Sequence, residues 1–572
     1  MKKFVKQRWF QILWVLIVLL ALITRLVLIN QVPPSPYWEE VALGYDAYSI
    51  AQTARDHHGH FLPMVAFESF GDFKPAGYFY TVVPFIKIFG LSILAVRLPS
   101  VLSGVLIVIG VGKLMALLVD NSKDKKIATA LAMAITAVSP WAIQFSRGGW
   151  EVNLATCLLL WGVVFLLSSL QKEKLKLEFI AGGLLLVLSM YVYHATRVIA
   201  PMLGIWLMLV WLVKGKKADW FQKIKLNLKP LLTAVIVLSI VALPIFLALG
   251  NNQINQRFKE TSIFYDLEPI ISSNQAKKLA ANSLFSRIIY HRYVLFGQQV
   301  LTNFFNHFSL DFLFLSGDLN PRHSTTYVGL FYYLDFFLLI LGIYYLARTK
   351  PRLLIFLVGW LVIGILPSAL SKASPHSLRI LPTLPVWMTL ITFGLVYLIK
   401  PIESLIIKIF KKKAEVIQVV TFSGLLFVYL IQVIIWARFY FFVYPVKYQS
   451  EWQYGYQQLV AQINQQQVEH PDLPIYVSRN FGRPAMYYWF YSKTDPKQVQ
   501  QLESTAKKDQ AEFLEFNKIK FESWDQQTSP AIVAITSDES IDWQKYQFSA
   551  LGQVRDLSGQ IVWGIYLIEG SK

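Results

Sequence analysis

Charge is what this chain most lacks. Of its 572 residues only 16% are Asp, Glu, Lys or Arg, while 55% are hydrophobic and 15% aromatic. A soluble domain carries about a quarter charged residues, so the composition excludes an ordinary soluble protein and indicates a polytopic membrane protein. Cysteine is scarcer still. The single thiol, Cys157, lies in an apolar run, which excludes an intramolecular disulfide and a cysteine-based metal site and leaves a small buried hydrophobe. Acid is short relative to base, 35 residues against 54, for a net charge of +19. That excess does not point to nucleic acid, because the basic residues sit in short clusters between apolar runs, where they act as a topology signal. Internal repeats and low-complexity segments are absent too.

What is there is a series of apolar runs. The first, Phe10 to Ile29, is long enough to cross the hydrocarbon core as a helix and has no small-residue cleavage site after it, so it is expected to be retained. Its one charge, Arg25, is near enough to the end to snorkel. Further spans are expected at 96–119, 127–143, 152–170, 177–193, 197–213, 229–249, 327–347, 352–370, 378–399 and 416–442, about eleven crossings in all. Lys2/Lys3/Lys6/Arg8, Lys123/Lys125/Lys126, Lys172/Lys174/Lys176, Lys214/Lys216/Lys217 with Lys223/Lys225, Arg348/Lys350/Arg352 and Lys408/Lys411/Lys412/Lys413 then all fall on one face. By the positive-inside rule that face is cytoplasmic, and so is the N-terminus.

The opposite face collects the unusual polar residues. It holds a first loop at 31–95, the turn Ser146-Arg147-Gly148-Gly149-Trp150-Glu151, the segment Tyr193-His194-Ala195-Thr196-Arg197, a second long loop at 250–326, and Pro375-His376-Ser377-Leu378-Arg379. The expected division is a membrane module at 1–443 and an extracytoplasmic α/β domain at 444–572. In that tail a helix from Trp452 to Gln465 and strands at Ile475–Val477, Ala531–Ile535 and Ile561–Leu567 are expected. The tail has neither a glycine-rich phosphate loop nor a metal-ligand cluster, which favours scaffolding or acceptor recognition over catalysis.

The first loop carries the chemistry. It contains Glu39-Glu40 beside Trp38, then Asp46, Asp56-His57-His58, Asp72-Phe73-Lys74-Pro75 and Arg97-Leu98-Pro99-Ser100. Ionisable groups held at a bilayer surface need a chemical reason. Ser35-Pro36 predicts a helix start, with Ser35 as cap, putting Glu39 and Asp46 on a common face. A carboxylate there can serve as a general base, and neighbouring Lys and Arg can hold a phosphate. Glu39 and Glu40 could equally complement a helix dipole, worth about 0.3–1 kcal/mol. Arg97, Arg147, Arg197 and Arg379 each flank an apolar run, where snorkelling is a sufficient account. His194 and His376 read as well as structural histidines, and Asp56-His57-His58 is weak ground for a divalent cation.

These residues are similar in order and placement to the bacterial members of the GT-C superfamily, in the branch of the protein O-mannosyltransferases and the lipid A aminoarabinose transferase. The matches are the acidic pair Glu39-Glu40, Gly44-Tyr45-Asp46-Ala47-Tyr48, Gly71-Asp72-Phe73-Lys74-Pro75, Arg97-Leu98-Pro99-Ser100, Ser146-Arg147, Tyr193-His194-Ala195-Thr196-Arg197 and His376-Ser377-Leu378-Arg379. They cover the membrane part to about residue 440 and fade in the tail. The branch usually has Asp where this chain has Glu39, so its carboxylate reaches one methylene further or shares its role with Glu40. The resemblance implies a multi-pass α-helical glycosyltransferase that moves a sugar, with inversion, from a polyprenyl-phosphate donor. The acceptor is a protein, lipid or glycan on the extracytoplasmic side. It implies Glu39 and Glu40 as catalytic residues, and Lys74, Arg97, Arg147, His194, Arg197, His376, Arg379, Asp46 and Asp72 as donor or substrate contacts. No cofactor is implied with certainty, a divalent cation being the one candidate. Two other readings fit the same residues: a transporter or flippase of lipid-linked saccharides, and a non-catalytic partner in envelope-glycan assembly.

Overall fold

The computed structural model describes residues 2–172, 175–213, 217–248, 250, 256–410, 414–502, 508–509, 512–526 and 528–571. Of the basic clusters, Lys174, Lys214, Lys216, Lys411, Lys412 and Lys413 lie outside the described residues, as does the start of the second long loop at Asn251. The chain divides into two compact units. One comprises Met1–Val27, Ser100–Ser146 and Trp150–Ala437, the other Leu28–Pro99, Arg147–Gly149 and Arg438–Lys572.

The first unit is helical, and a helix occupies every span expected there. Among the described residues of the whole chain, eight helices are long and apolar enough to cross a membrane: Arg8–Leu26, Ile93–Leu118, Glu151–Leu170, Thr196–Val213, Leu228–Ala248, Pro351–Ala369, Leu381–Leu398 and Ser423–Lys447. The pair Asp124–Val138 and Pro140–Ser146, bent by 61° at Ser139-Pro140, where proline cannot continue the backbone ladder, makes a ninth if it is one broken span and not a re-entrant loop. The other two expected spans are shorter helices, Leu177–Met190 and Tyr333–Thr349. Large apolar side chains such as Val235, Ile240 and Phe246 stay exposed on the Leu228–Ala248 helix, which suits a lipid-facing surface and makes this a multi-pass membrane protein. Between helices, small residues permit close approach. A Cβ on Gly342 would run into the Leu390 carbonyl oxygen and one on Gly394 into that of Leu338, so the Tyr333–Thr349 and Leu384–Phe410 helices cross backbone against backbone. A Cβ on Gly182 would lie 2.8 Å from the Gly162 carbonyl oxygen.

The second unit joins the first loop to the tail. A six-stranded mixed sheet forms its α/β part, in the order Glu515–Phe516, Ile519–Lys520, Ile475–Val477, Ala531–Thr536, Ile561–Ser571 and Tyr546–Arg555. The Ile475–Val477 strand is parallel to both its neighbours, and the remaining pairs are antiparallel. All three expected strands are present. The expected helix at Trp452 instead runs Tyr456–Glu469, because Gly455 at φ 115° turns the chain just before it and leaves Trp452 buried ahead of the helix. The domain also contains the buried Pro484–Ser492 helix, the short Pro496–Gln501 helix and the Tyr546–Arg555 strand.

Candidate functional site

The Trp38–Thr53 helix is the element around which the second unit is built. Its N-cap is Tyr37, not the expected Ser35: residues 32–35 run through successive bends, and the helix begins only at Trp38. The capping box is made by Glu40, whose Oε2 accepts the Tyr37 backbone N–H at 3.3 Å. Tail residues grip this helix along its length. Tyr487 Oη donates to the Pro36 carbonyl at 3.0 Å, and Tyr45 Oη donates to that of Thr494 at 3.1 Å. Gln500 Nε2 donates to Ser49 Oγ, Thr53 Oγ1 and the Asp56 carbonyl at 2.8–3.0 Å.

The two adjacent acids have different surroundings. Glu40 is buried and accepts four hydrogen bonds: Arg97 Nε at 2.9 Å and Gly149 N at 2.7 Å on Oε1, Arg97 Nη2 at 3.1 Å and Tyr37 N on Oε2. Arg97, also fully buried, gives its remaining N–H groups to the carbonyls of Ile29 at 2.7 Å, Pro33 at 3.1 Å and Ser35 at 2.9 Å. A guanidinium has five N–H donors, and all five are engaged here. Glu39 is 31% exposed. Its Oε2 accepts the Tyr37 hydroxyl at 2.9 Å, and its Oε1 lies 3.2 Å from Lys74 Nζ.

Lys74 is positioned by a hairpin. Strands Ala66–Ser69 and Asp72–Pro75 pair through Phe70-Gly71, both at positive φ (56° and 74°), the geometry that matches strand twist in a two-residue turn. The Phe67 ring stacks on Phe79 at 4.4 Å, seating the hairpin on the Gly77–Phe89 helix, and the Arg483 guanidinium covers the Phe70 ring at 5.0 Å. Asp72 Oδ1 accepts the Phe73 N–H within the second strand. Arg147, in the same unit, is buried and donates from Nε and Nη2 to the Val32 carbonyl at 3.1 and 2.8 Å, with the Phe441 ring 4.9 Å away. Burial is the main cause that brings its guanidinium down to about 10.

Asp46 does not reach the Glu39 pair. It is buried, and its Oδ1 receives the backbone N–H of His57 at 3.0 Å and contacts His57 Nδ1 at 2.6 Å. The imidazoles of the first loop therefore separate: His57 goes to Asp46, whereas Asp56 takes His60, whose Nδ1 is 3.0 Å from its Oδ2.

In the helical unit, His194 sits in the turn before the Thr196–Val213 helix, and Arg197 Nε donates to the Met190 carbonyl at 3.3 Å. Arg379 donates from Nη1 to Ser371 Oγ and to the Ala373 carbonyl. His376 belongs to a group that spacing along the chain does not disclose: Asp318, His323 and His376, whose ligand-bearing atoms lie within 4.8 Å of one another. Burial pushes the Asp318 carboxyl up, but the neighbouring His323 and His376 imidazoles outweigh it and hold it below its ordinary value. Burial holds the His376 imidazole well below its ordinary value. The same unit carries an apolar groove of about 630 Å³, lined by Leu166, Phe179, Leu186, Gly204, Leu238 and Phe246.

No family model matches the sequence, and no curated protein matches it. Among solved structures the chain is similar to ArnT from Cupriavidus metallidurans bound to undecaprenyl phosphate, with 14% identity, a TM-score of 0.54, and coverage of 96% of this chain and 97% of that one. The apo state of the same protein matches at 13% identity and a TM-score of 0.51, with the same coverage. At this identity the likeness is one of fold. The shared fold has helices throughout the membrane part and an α/β tail.

Proposed function

We propose that the protein is an extracytoplasmically facing membrane glycosyltransferase that uses a polyprenyl-phosphate sugar as donor. The observation that carries this reading is the contrast within the acidic pair. Glu40 and Arg97 form a closed, buried frame, and that frame holds Glu39 half-exposed beside the ammonium of Lys74. A carboxylate on a rigid support next to a cation suits a reaction that removes a proton from one partner and leaves negative charge on the other. The fold supports the same class, since the similar ArnT structure carries undecaprenyl phosphate.

In this mechanism a Glu39 oxygen takes the proton of the acceptor's hydroxyl or amine. The acceptor atom forms a bond to the anomeric carbon from the face opposite the phosphate. The bond between that carbon and the phosphate oxygen breaks, and its electron pair leaves with the lipid phosphate, whose charge Lys74 offsets. Glu40, Arg97 and Arg147 act as positioning residues. The N-terminus is then cytoplasmic and the tail outside.

Single-turnover assays with purified protein and a lipid-linked sugar test this reading. Transfer should release one free polyprenyl phosphate per sugar moved. Movement of the intact donor across a bilayer without that release would establish a flippase instead.

A further inference from the structure

We infer that Asp318, His323 and His376 form a binding site for one divalent transition-metal ion of the zinc class. Asp318 Oδ2 lies 3.7 Å from His323 Nδ1 and 3.7 Å from His376 Nδ1. That is too far for a hydrogen bond. It is close to the spacing of about 3.4 Å between neighbouring ligand atoms around a tetrahedral zinc with bonds near 2.1 Å. Both Nδ1 atoms are buried and have no hydrogen-bond partner. A buried imidazole nitrogen without a partner is a defect in a folded protein unless something else occupies the point toward which it is aimed. Here two such nitrogens and one carboxylate oxygen lie within 4.8 Å of one another.

The surroundings are those of a built site. Ser377 donates to Asp318 Oδ2 from its backbone N at 2.8 Å and its Oγ at 2.9 Å, and Asn320 N donates to Oδ1 at 3.0 Å, which fixes the carboxylate plane. The His323 ring is held between Phe145 and Trp150, with centroids at 6.2 and 5.5 Å, and the Ser377 hydroxyl also reaches its carbonyl. His376 N donates to His307 Nε2 at 3.3 Å, and the His323 and His376 rings lie 4.7 Å apart. Outer contacts of this kind orient metal ligands. Two imidazoles and a carboxylate are a borderline-soft donor set that suits zinc and not calcium or magnesium, and three protein ligands leave a fourth position for water. The ion would tie the loop before Tyr333 to the loop after Ala369 within the helical unit. This inference stands apart from the transferase reading, and its test does not use activity.

Full-length protein in detergent is stripped with a chelator, desalted, and titrated with Co²⁺ and then Zn²⁺. The expected result is one equivalent of Co²⁺ with the visible absorption of a four-coordinate ion, displaced by one equivalent of Zn²⁺, with a zinc-dependent rise in melting temperature. His376→Ala and Asp318→Asn should lose the retained metal. Ser377→Ala keeps all three ligands while loosening the carboxylate, and should weaken zinc binding roughly tenfold to a hundredfold. If wild-type protein takes up no stoichiometric Co²⁺, the site does not exist. The same holds if the well-folded Ser377→Ala protein and the ligand variants bind metal as tightly as wild type.

Discussion

At the scale of single residues, the adjacent glutamates differ, Glu40 buried in a frame and Glu39 half-exposed and proposed as the base, and they should fail in different ways. Glu39→Gln keeps shape and removes basicity, so transfer should fall roughly 10²–10⁴-fold with folding and donor binding unchanged. Glu39→Asp should retain part of the activity. Glu40→Gln takes the countercharge from a buried guanidinium, and breaking such a pair costs about 3–5 kcal/mol. Its loss should therefore register first in the melting temperature of the purified protein, and only through that in turnover. A stable, inactive Glu40→Gln protein would move the base to Glu40. Lys74→Ala should weaken transfer about tenfold to a hundredfold, the range for losing one charge-assisted contact of about 1.5–3 kcal/mol, read as kcat and KM for the lipid donor. The sequence named Glu39, Glu40, Lys74 and Arg97 because their types and order are distinctive. It could not assign Arg97 to the frame, because that role depends on the carbonyls of Ile29, Pro33 and Ser35, which any residue could supply. Nor could it find the Asp318, His323 and His376 group: four residues separate the first two, and the third comes from another loop.

At the scale of elements, hydropathy was a sound guide to the membrane helices and a poor one to the tail. Every expected span is helical because a long apolar run in a bilayer has few alternatives. The Tyr546–Arg555 strand escaped notice because it is mostly exposed and carries Gln547, Gln553 and Arg555 without a clear apolar alternation. The Ser35 cap was misplaced because Ser35 still belongs to the bends that precede the helix start at Trp38. The crossing of Tyr333–Thr349 with Leu384–Phe410 rests on Gly342 and Gly394, where the obstacle to any larger residue is a backbone carbonyl that cannot swing aside. Gly394→Leu should thus cost at least the roughly 1–3 kcal/mol of an overpacked core and lower the yield of monodisperse protein in detergent. The mild exposed change Gly297→Ala, which meets nothing within 4 Å, should leave that yield unaltered.

At the scale of the whole molecule, two predictions concern the tail. A cysteine at Ser450 should react with an impermeant thiol reagent in intact cells, and the native Cys157 is buried and will not confuse the result. Protection at that position would reverse the proposed orientation. Deletion of 450–572 should abolish transfer and expose the first loop to protease, since Tyr487, Phe490, Thr494 and Gln500 all pack on or bond to the Trp38–Thr53 helix and its flanks. A truncated protein with a protease-resistant loop and normal turnover would remove the tail from the frame.

That packing also sets a schedule for biosynthesis. The Trp38–Thr53 helix leaves the ribosome about 450 residues ahead of Tyr487 and Gln500, which hold it. Each newly inserted chain must therefore wait, with this helix formed and Tyr487 and Gln500 unmade, until the tail follows. Ribosome-bound chains arrested before about residue 480 should be inserted yet unable to transfer sugar, and activity should appear only once Tyr487 and Gln500 have been made.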